Sequence, residues 1–120
     1  MYVKVIHRVE LNMYQLTKHE ELILISIWKL KENAYGVTLK KDFIAATGKS
    51  ITYGSLCKTL YKLVQKGYID SRESAPISQQ GGRRKVMYFL TSDGKKALKH
   101  AYEIQKSAWK SISDLFIEFE

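Results

Sequence analysis

Cysteine is the first shortage in this chain of 120 residues: Cys57 stands alone. It has no partner for an intrachain disulfide, and a single thiolate cannot build a cysteine-based metal site. A reducing, cytoplasmic setting fits that composition. Long apolar runs are missing too. The longest apolar cluster, residues 22–30, is far too short to span a bilayer. The N-terminus lacks an apolar h-region with a small-residue cleavage site, so no signal peptide and no membrane partner are expected. Acidic residues are outnumbered, 12 against 20 Lys plus Arg, for a net charge of +8. Such a balance favours a polyanion, either nucleic acid or an anionic membrane surface, and charge alone does not choose between them. His7, His19 and His100 are scattered, with no HExxH-type or other ligand spacing. Gly81-Gly82 lacks the strand-to-helix context of a phosphate-cradling loop. No catalytic residue, metal or cofactor is expected, and the chain reads as a non-enzyme.

What is present is a 45% hydrophobic composition, enough for one domain with a core. Residues 1–15 read as an N-terminal arm of uncertain form, with Met13 as an alternative start. Thr17-Lys18-His19-Glu20 spells a capping box. The helix it opens, about 18–31, carries Leu22, Ile23, Leu24, Ile25, Ile27, Trp28 and Leu30, apolar nearly all round, and is expected to be central and buried. A second helix is expected over about 38–47, with Leu39, Phe43 and Ala46 on one face and Gly48 as a left-handed cap. A third, about 52–66, turns Leu56, Leu60, Leu63 and Val64 inward and ends at Gly67. Two β-like runs follow, 68–72 and 85–90. The segment between them is long for a hairpin loop and holds the only proline, Pro76. A last helix is expected from Thr91 or Ser92 to as far as Phe116. It carries a wide apolar stripe that includes Leu98, Ala101, Tyr102, Ala108, Trp109, Ile112, Leu115 and Phe116.

Three short helices, a hairpin and a long helix make a mainly α fold with a small antiparallel hairpin: a winged helix-turn-helix (16–91) followed by a C-terminal dimerisation helix (92–120). The second and third helices form the helix-turn-helix pair. The polar face of the third, with Thr52, Tyr53, Ser55, Lys58, Thr59 and Lys62, is the candidate DNA-reading surface. Gly54, near its start, would let backbone approach backbone. The wing cations Arg83, Arg84 and Lys85 are candidates for phosphate contacts, with Gln79 and Gln80 beside them. Tyr35 at the entry to the second helix either holds a phosphate or packs against the wing base. Lys40 and Lys41 are weaker phosphate candidates. The stripe on the last helix exceeds the needs of one small domain, which points to burial against a twofold mate. Trp109 is expected to anchor that interface, with a small aromatic effector as a second role. A winged helix that binds protein, its basic wing serving solubility alone, is the rival reading.

Four pieces of sequence carry a family resemblance: AYG at 34–36, GSL…LxxL…KGYI through the third helix and beyond it, GGRRKxxY in the wing, and LTxxG before the last helix. In that order and spacing, over about 22–108, they resemble the PadR family of bacterial transcription regulators, in its short form with a single C-terminal helix. The resemblance implies a homodimer that represses from a short palindromic operator, sits on the nucleoid when DNA-bound, and in some members answers a small molecule. One departure is plain. Members often carry a tyrosine three residues after the glycine matching Gly54; here that residue is Cys57, and it is left out of the expected site.

Overall fold

The computed structural model describes residues 15–74 and 85–119. Helix α1 spans Lys18–Leu30 and passes through a short 3-10 turn, Lys31–Asn33, into α2, Gly36–Thr47. Helix α3 is Tyr53–Gln65, strands β1 and β2 are Ile69–Glu73 and Val86–Leu90, and α4 is Ser92–Lys110 with a short α5, Asp114–Ile117. The fold is the expected mainly helical one with a two-stranded antiparallel hairpin, Ile69 opposite Leu90 and Glu73 opposite Val86.

Local rules explain the helix starts. Glu20 N donates to Thr17 Oγ1 at 3.1 Å and Thr17 N donates to Glu20 Oε1 at 2.8 Å, the reciprocal box that satisfies two orphan amides. Thr52 caps α3 by accepting from Ser55 N, and Thr91 caps α4 by accepting from Gly94 N. Helix α2 begins two residues earlier than its apolar pattern implies. There the Thr38 hydroxyl, as N3, accepts from Tyr35 N at 3.1 Å and donates to the Asn33 carbonyl. Gly48 takes φ 69, the left-handed conformation that ends α2 and opens the turn to α3.

The core joins Ile23, Leu24 and Ile27 of α1 to Leu39 and Phe43 of α2, Leu56, Leu60 and Leu63 of α3, Ile69 of β1 and Ala97 of α4. Its edges depart from expectation. Helix α1 is not buried all round: Ile25 and Trp28 face outward, Trp28 at 50% exposure, whereas Ser26 is buried. Among the described residues, neighbours leave Ile25 and Trp28 uncovered, and Ser26 is admitted because its hydroxyl donates to Asp42 Oδ2 at 2.5 Å. Ala46 is exposed because it lies a turn beyond Phe43, which meets His19 at the very start of α1. Val64 is also exposed, since one residue past Leu63 the helix has already rotated about 100° out of the stripe. Nor does the last helix run unbroken to Phe116. Past Lys110 the amides of Ile112 and Ser113 bond three residues back, to Trp109 and Lys110, and Ser111 Oγ donates to the Ala108 carbonyl at 2.6 Å. At 19 residues, α4 is about 28 Å long.

Two long-range contacts hold the elements in place. Glu20, 2% exposed, receives Lys66 Nζ at 2.7 Å, so the capping residue of α1 also pairs with the residue that ends α3. Burial pushes the Glu20 carboxyl upward, but hydrogen bonds from Lys66 and Thr17 and the Lys66 charge outweigh it and hold the group below its ordinary value of 4.5. Gly94 packs directly on the backbone two residues beyond Lys66: a Cβ on Gly94 would lie 2.0 Å from the Tyr68 carbonyl oxygen.

Two outcomes follow for stability. Because the folded pKa of Glu20 is depressed, its contribution is present above pH 4.5 and is lost as pH falls through the lower folded value. Glu20→Gln should cost about 1–2 kcal/mol at neutral pH and flatten the acid limb of urea-unfolding midpoints against pH. A residual slope from Asp42 should remain, since burial raises that group while Ser26 and Lys29 lower it further. Gly94→Ala should cost about 3 kcal/mol or more, read by the same unfolding assay.

Candidate nucleic-acid interface

With Leu56, Leu60 and Leu63 held in the core, α3 has one orientation, and its other face is turned to solvent. Tyr53, Ser55, Lys58 and Lys62 are exposed on that face. Thr52 is exposed too, but its oxygen is engaged as the helix cap. Thr59 is half-buried and donates its hydroxyl to the Ser55 carbonyl at 3.1 Å. The expected surface is therefore assembled, with its two threonines already committed to their own helix. Gly54 differs from expectation: among the described residues a Cβ there would meet only Thr52 Oγ1, at 4.0 Å, and no backbone packs on it.

The helix-turn-helix pair is stitched beside this face. Lys40 Nζ of α2 lies 4.2 Å from the centroid of the Tyr53 ring at the start of α3, and that ring also reaches within 3.9 Å of where a Gly36 side chain would stand. Lys40, Tyr53 and the first turn of α2 thus form one cluster. Lys41, one residue on, is exposed.

The wing is anchored from its base. Ser74 N donates to the Lys85 carbonyl at 2.7 Å, and Lys85 N donates to Ser74 Oγ at 3.0 Å. Tyr35 makes an isolated antiparallel bridge to Met87, and Tyr88 N donates to the Ala34 carbonyl at 2.9 Å, so residues 34–35 act as a third edge of the hairpin. The Lys85 ammonium lies 4.2 Å over the Tyr35 ring. Of the two expectations for Tyr35, packing at the wing base is the one with observed contacts. Arg83, Arg84, Gln79 and Gln80 lie outside the described residues. Arg72, exposed on β1 with its guanidinium 5.3 Å from the Phe89 ring, is a wing cation that sequence reading passed over. Its signal was its place one strand position before Glu73, opposite Met87.

Comparison with known proteins now bears on this geometry. The model of the transcriptional regulator PadR-like family matches residues 23–111, from within α1 to just past α4. The chain belongs to the PadR-like family of transcriptional regulators. A PadR family transcription regulator from Clostridium difficile R20291 is 28% identical, with a TM-score of 0.54 over 82% of this chain and 96% of that one. A PadR family transcriptional regulator from Eggerthella lenta DSM 2243 superposes with a TM-score of 0.61 at 20% identity, over 96% and 95% of the two chains. A transcriptional regulator from Clostridium thermocellum gives 0.62 at 21% identity, over 87% and 94%. At those identities the last two speak for the fold alone. No curated protein matches the chain. No described helix of this PadR-like regulator is long and apolar enough to cross a membrane.

The two roles offered for Tyr35 separate by substitution. Tyr35→Leu should cost about 0.5–1 kcal/mol in urea unfolding through loss of the aromatic face under Lys85, while Tyr35→Phe keeps it. If the hydroxyl holds a phosphate, Tyr35→Phe should weaken DNA binding with no change in stability.

Proposed function

We propose that this PadR-like regulator is a homodimeric repressor that reads a short palindromic operator in double-stranded DNA. The observation that carries the reading is the outward face of α3, with Ser55, Lys58 and Lys62 exposed opposite the buried leucines. Thr52, Tyr53, Ser55, Lys58, Thr59 and Lys62 address the major groove. Lys40, Tyr35 and the wing residues Arg83, Arg84 and Lys85 address phosphates on either side, which sets register without reading sequence.

Dimerisation rests on the far end of the chain. Tyr102, Trp109, Ile112, Leu115 and Phe116 are exposed, an apolar face that water would leave unfavourably wetted. Ala101 and Ala108 share the helix; Leu98 already packs against the domain's own core and adds only its outer side. A twofold mate would set two α3 helices about 34 Å apart, one turn of DNA. The Trp109 ring lies 5.8 Å from Phe116 within the same chain, which fits an interface anchor. Relief by a small aromatic effector at Trp109 belongs to the same reading.

The test is a gel shift against the upstream region of the protein's own gene, titrated with salt. A palindromic footprint and a steep negative slope of log K against log salt are expected. Arg84→Ala should weaken binding to all sequences and reduce the slope by about 1. A folded dimer that binds no DNA at low salt would favour the protein-binding winged helix instead.

A further inference from the structure

Glycine inside a helix needs a reason, because alanine there is more stable. Gly54 stands in the first turn of α3. Among the described glycines, Gly48 and Gly67 take positive φ and Gly54 does not, so backbone conformation does not demand glycine at 54. Packing does not demand it either. A Cβ would meet Thr52 Oγ1 at 4.0 Å and, among the described residues, nothing nearer. The use that fits an exposed glycine of this kind is close approach of a ligand to the helix backbone.

Gly54 is the first member of a stripe. At about 100° per residue, positions 54, 58, 61 and 65 fall opposite the buried Leu56, Leu60 and Leu63. All four are exposed. Ser55 and Lys62 flank the stripe on one side, Cys57 and Val64 on the other. The centre of the outward face is therefore Gly54, Lys58, Tyr61 and Gln65. Tyr61 and Gln65 stand outside the surface that sequence reasoning assigned to DNA.

A lone exposed tyrosine is ordinary on a protein surface. Tyr61 is set apart by what holds it. At 63% exposure it is the more open of the two α3 tyrosines, and Gln65 Nε2 donates to its Oη at 3.0 Å. The hydroxyl, already accepting, keeps its own proton to donate. Lys58 places a cation on the same stripe, and α3 holds no carboxylate, a charge pattern that suits a polyanion. On the hairpin side of Tyr61 a hollow of about 320 Å³ opens between α3 and the strands, lined also by Cys57, Leu60, Val64, Ser71 and Tyr88. A DNA strand passing from the α3 groove to the wing crosses that hollow, with Tyr61 beside it.

We propose that α3 meets DNA along this stripe: Gly54 lets the groove close on the helix backbone, and Tyr61, positioned by Gln65, donates a hydrogen bond to a phosphate oxygen of the strand that passes toward the wing. The inference rests on the DNA reading above and names contacts that reading lacks. A neutral donor fixes register on the backbone without neutralising a phosphate, so it releases no counterion. That separates Tyr61 from the lysines by experiment.

The test uses the full chain, a duplex from the upstream region of its own gene and a scrambled duplex of the same length. Fluorescence anisotropy gives the affinity between about 50 and 200 mM salt, and thermal unfolding gives the midpoint. Gly54→Ala should raise the midpoint by about 2–4 °C and weaken binding to the upstream duplex roughly tenfold or more. Tyr61→Phe should weaken binding to both duplexes about tenfold with an unchanged salt slope, whereas Lys58→Ala should lower the slope by about 1. Gln65→Leu should weaken binding less, and added to Tyr61→Phe it should cost nothing more, because it acts through the hydroxyl alone. Binding unchanged in Gly54→Ala or in Tyr61→Phe, while the wild type binds, overturns the stripe. A fall in midpoint for Gly54→Ala overturns it too, since the glycine then serves the free fold. So does a loss in Tyr61→Phe that carries a lower salt slope. A wild-type chain that binds neither duplex at low salt removes the DNA reading and the stripe together.

Discussion

The carbonyl oxygen of Tyr68 occupies the space where the residue at position 94 would carry a side chain, and the fold depends on that contact. Around it, Thr91 N donates to the same carbonyl at 3.0 Å and Thr91 Oγ1 donates to the Gly67 carbonyl at 2.6 Å. The end of α3, the entry to β1, the exit from β2 and the cap of α4 therefore meet within one knot of backbone. Only glycine allows the helix to come so close. The knot sets the direction in which α4 leaves the domain, and hence where its apolar face lies relative to α3. In a twofold regulator that relation would set the distance between recognition helices.

A second constraint acts at the residue just before this knot. Glu20 caps α1 through Thr17 and at the same time neutralises Lys66 at the end of α3. Cations are favoured at a helix C-terminus, so Lys66 is well placed before Glu20 is considered; the carboxylate then pins it to α1. Asp42 does similar work between α1 and α2, accepting from Ser26 and pairing with Lys29 at 3.0 Å. These polar ties cross a core of leucine, isoleucine and phenylalanine, and they fix register where apolar packing alone tolerates sliding.

Much of this was legible because it is local. The Thr17 capping box, the left-handed Gly48 and the leucine stripe of α3 each involve residues within a turn or two of one another. The polar face of α3 followed from the stripe by geometry. The misreadings occur where a distant neighbour decides. Ile25 and Trp28 look like core in a run of apolar residues, but no described element covers them; Ser26 looks out of place there until Asp42 is seen beside it. Ala46 continues the apolar face of α2 beyond the point where α1 has begun. At the stop of α4 the Ser111 hydroxyl competes for the Ala108 carbonyl, a weak local preference that the apolar stripe masked.

The sequence by itself determined the element order, the caps, the basic wing and the polar face of the third helix, because hydrogen-bond capping and helical periodicity act over a few residues. It also carried a family resemblance that the matched region bears out. Tertiary structure alone decided that Glu20 meets a lysine 46 positions away, that Gly94 yields its side-chain space to Tyr68, that Tyr35 joins the wing rather than standing apart, and that Trp28 faces out with the ammonium groups of Lys31 and Lys95 over its ring. Each of those depends on which surfaces the packed helices bring together, and that is a property of the whole chain's closure rather than of any stretch within it.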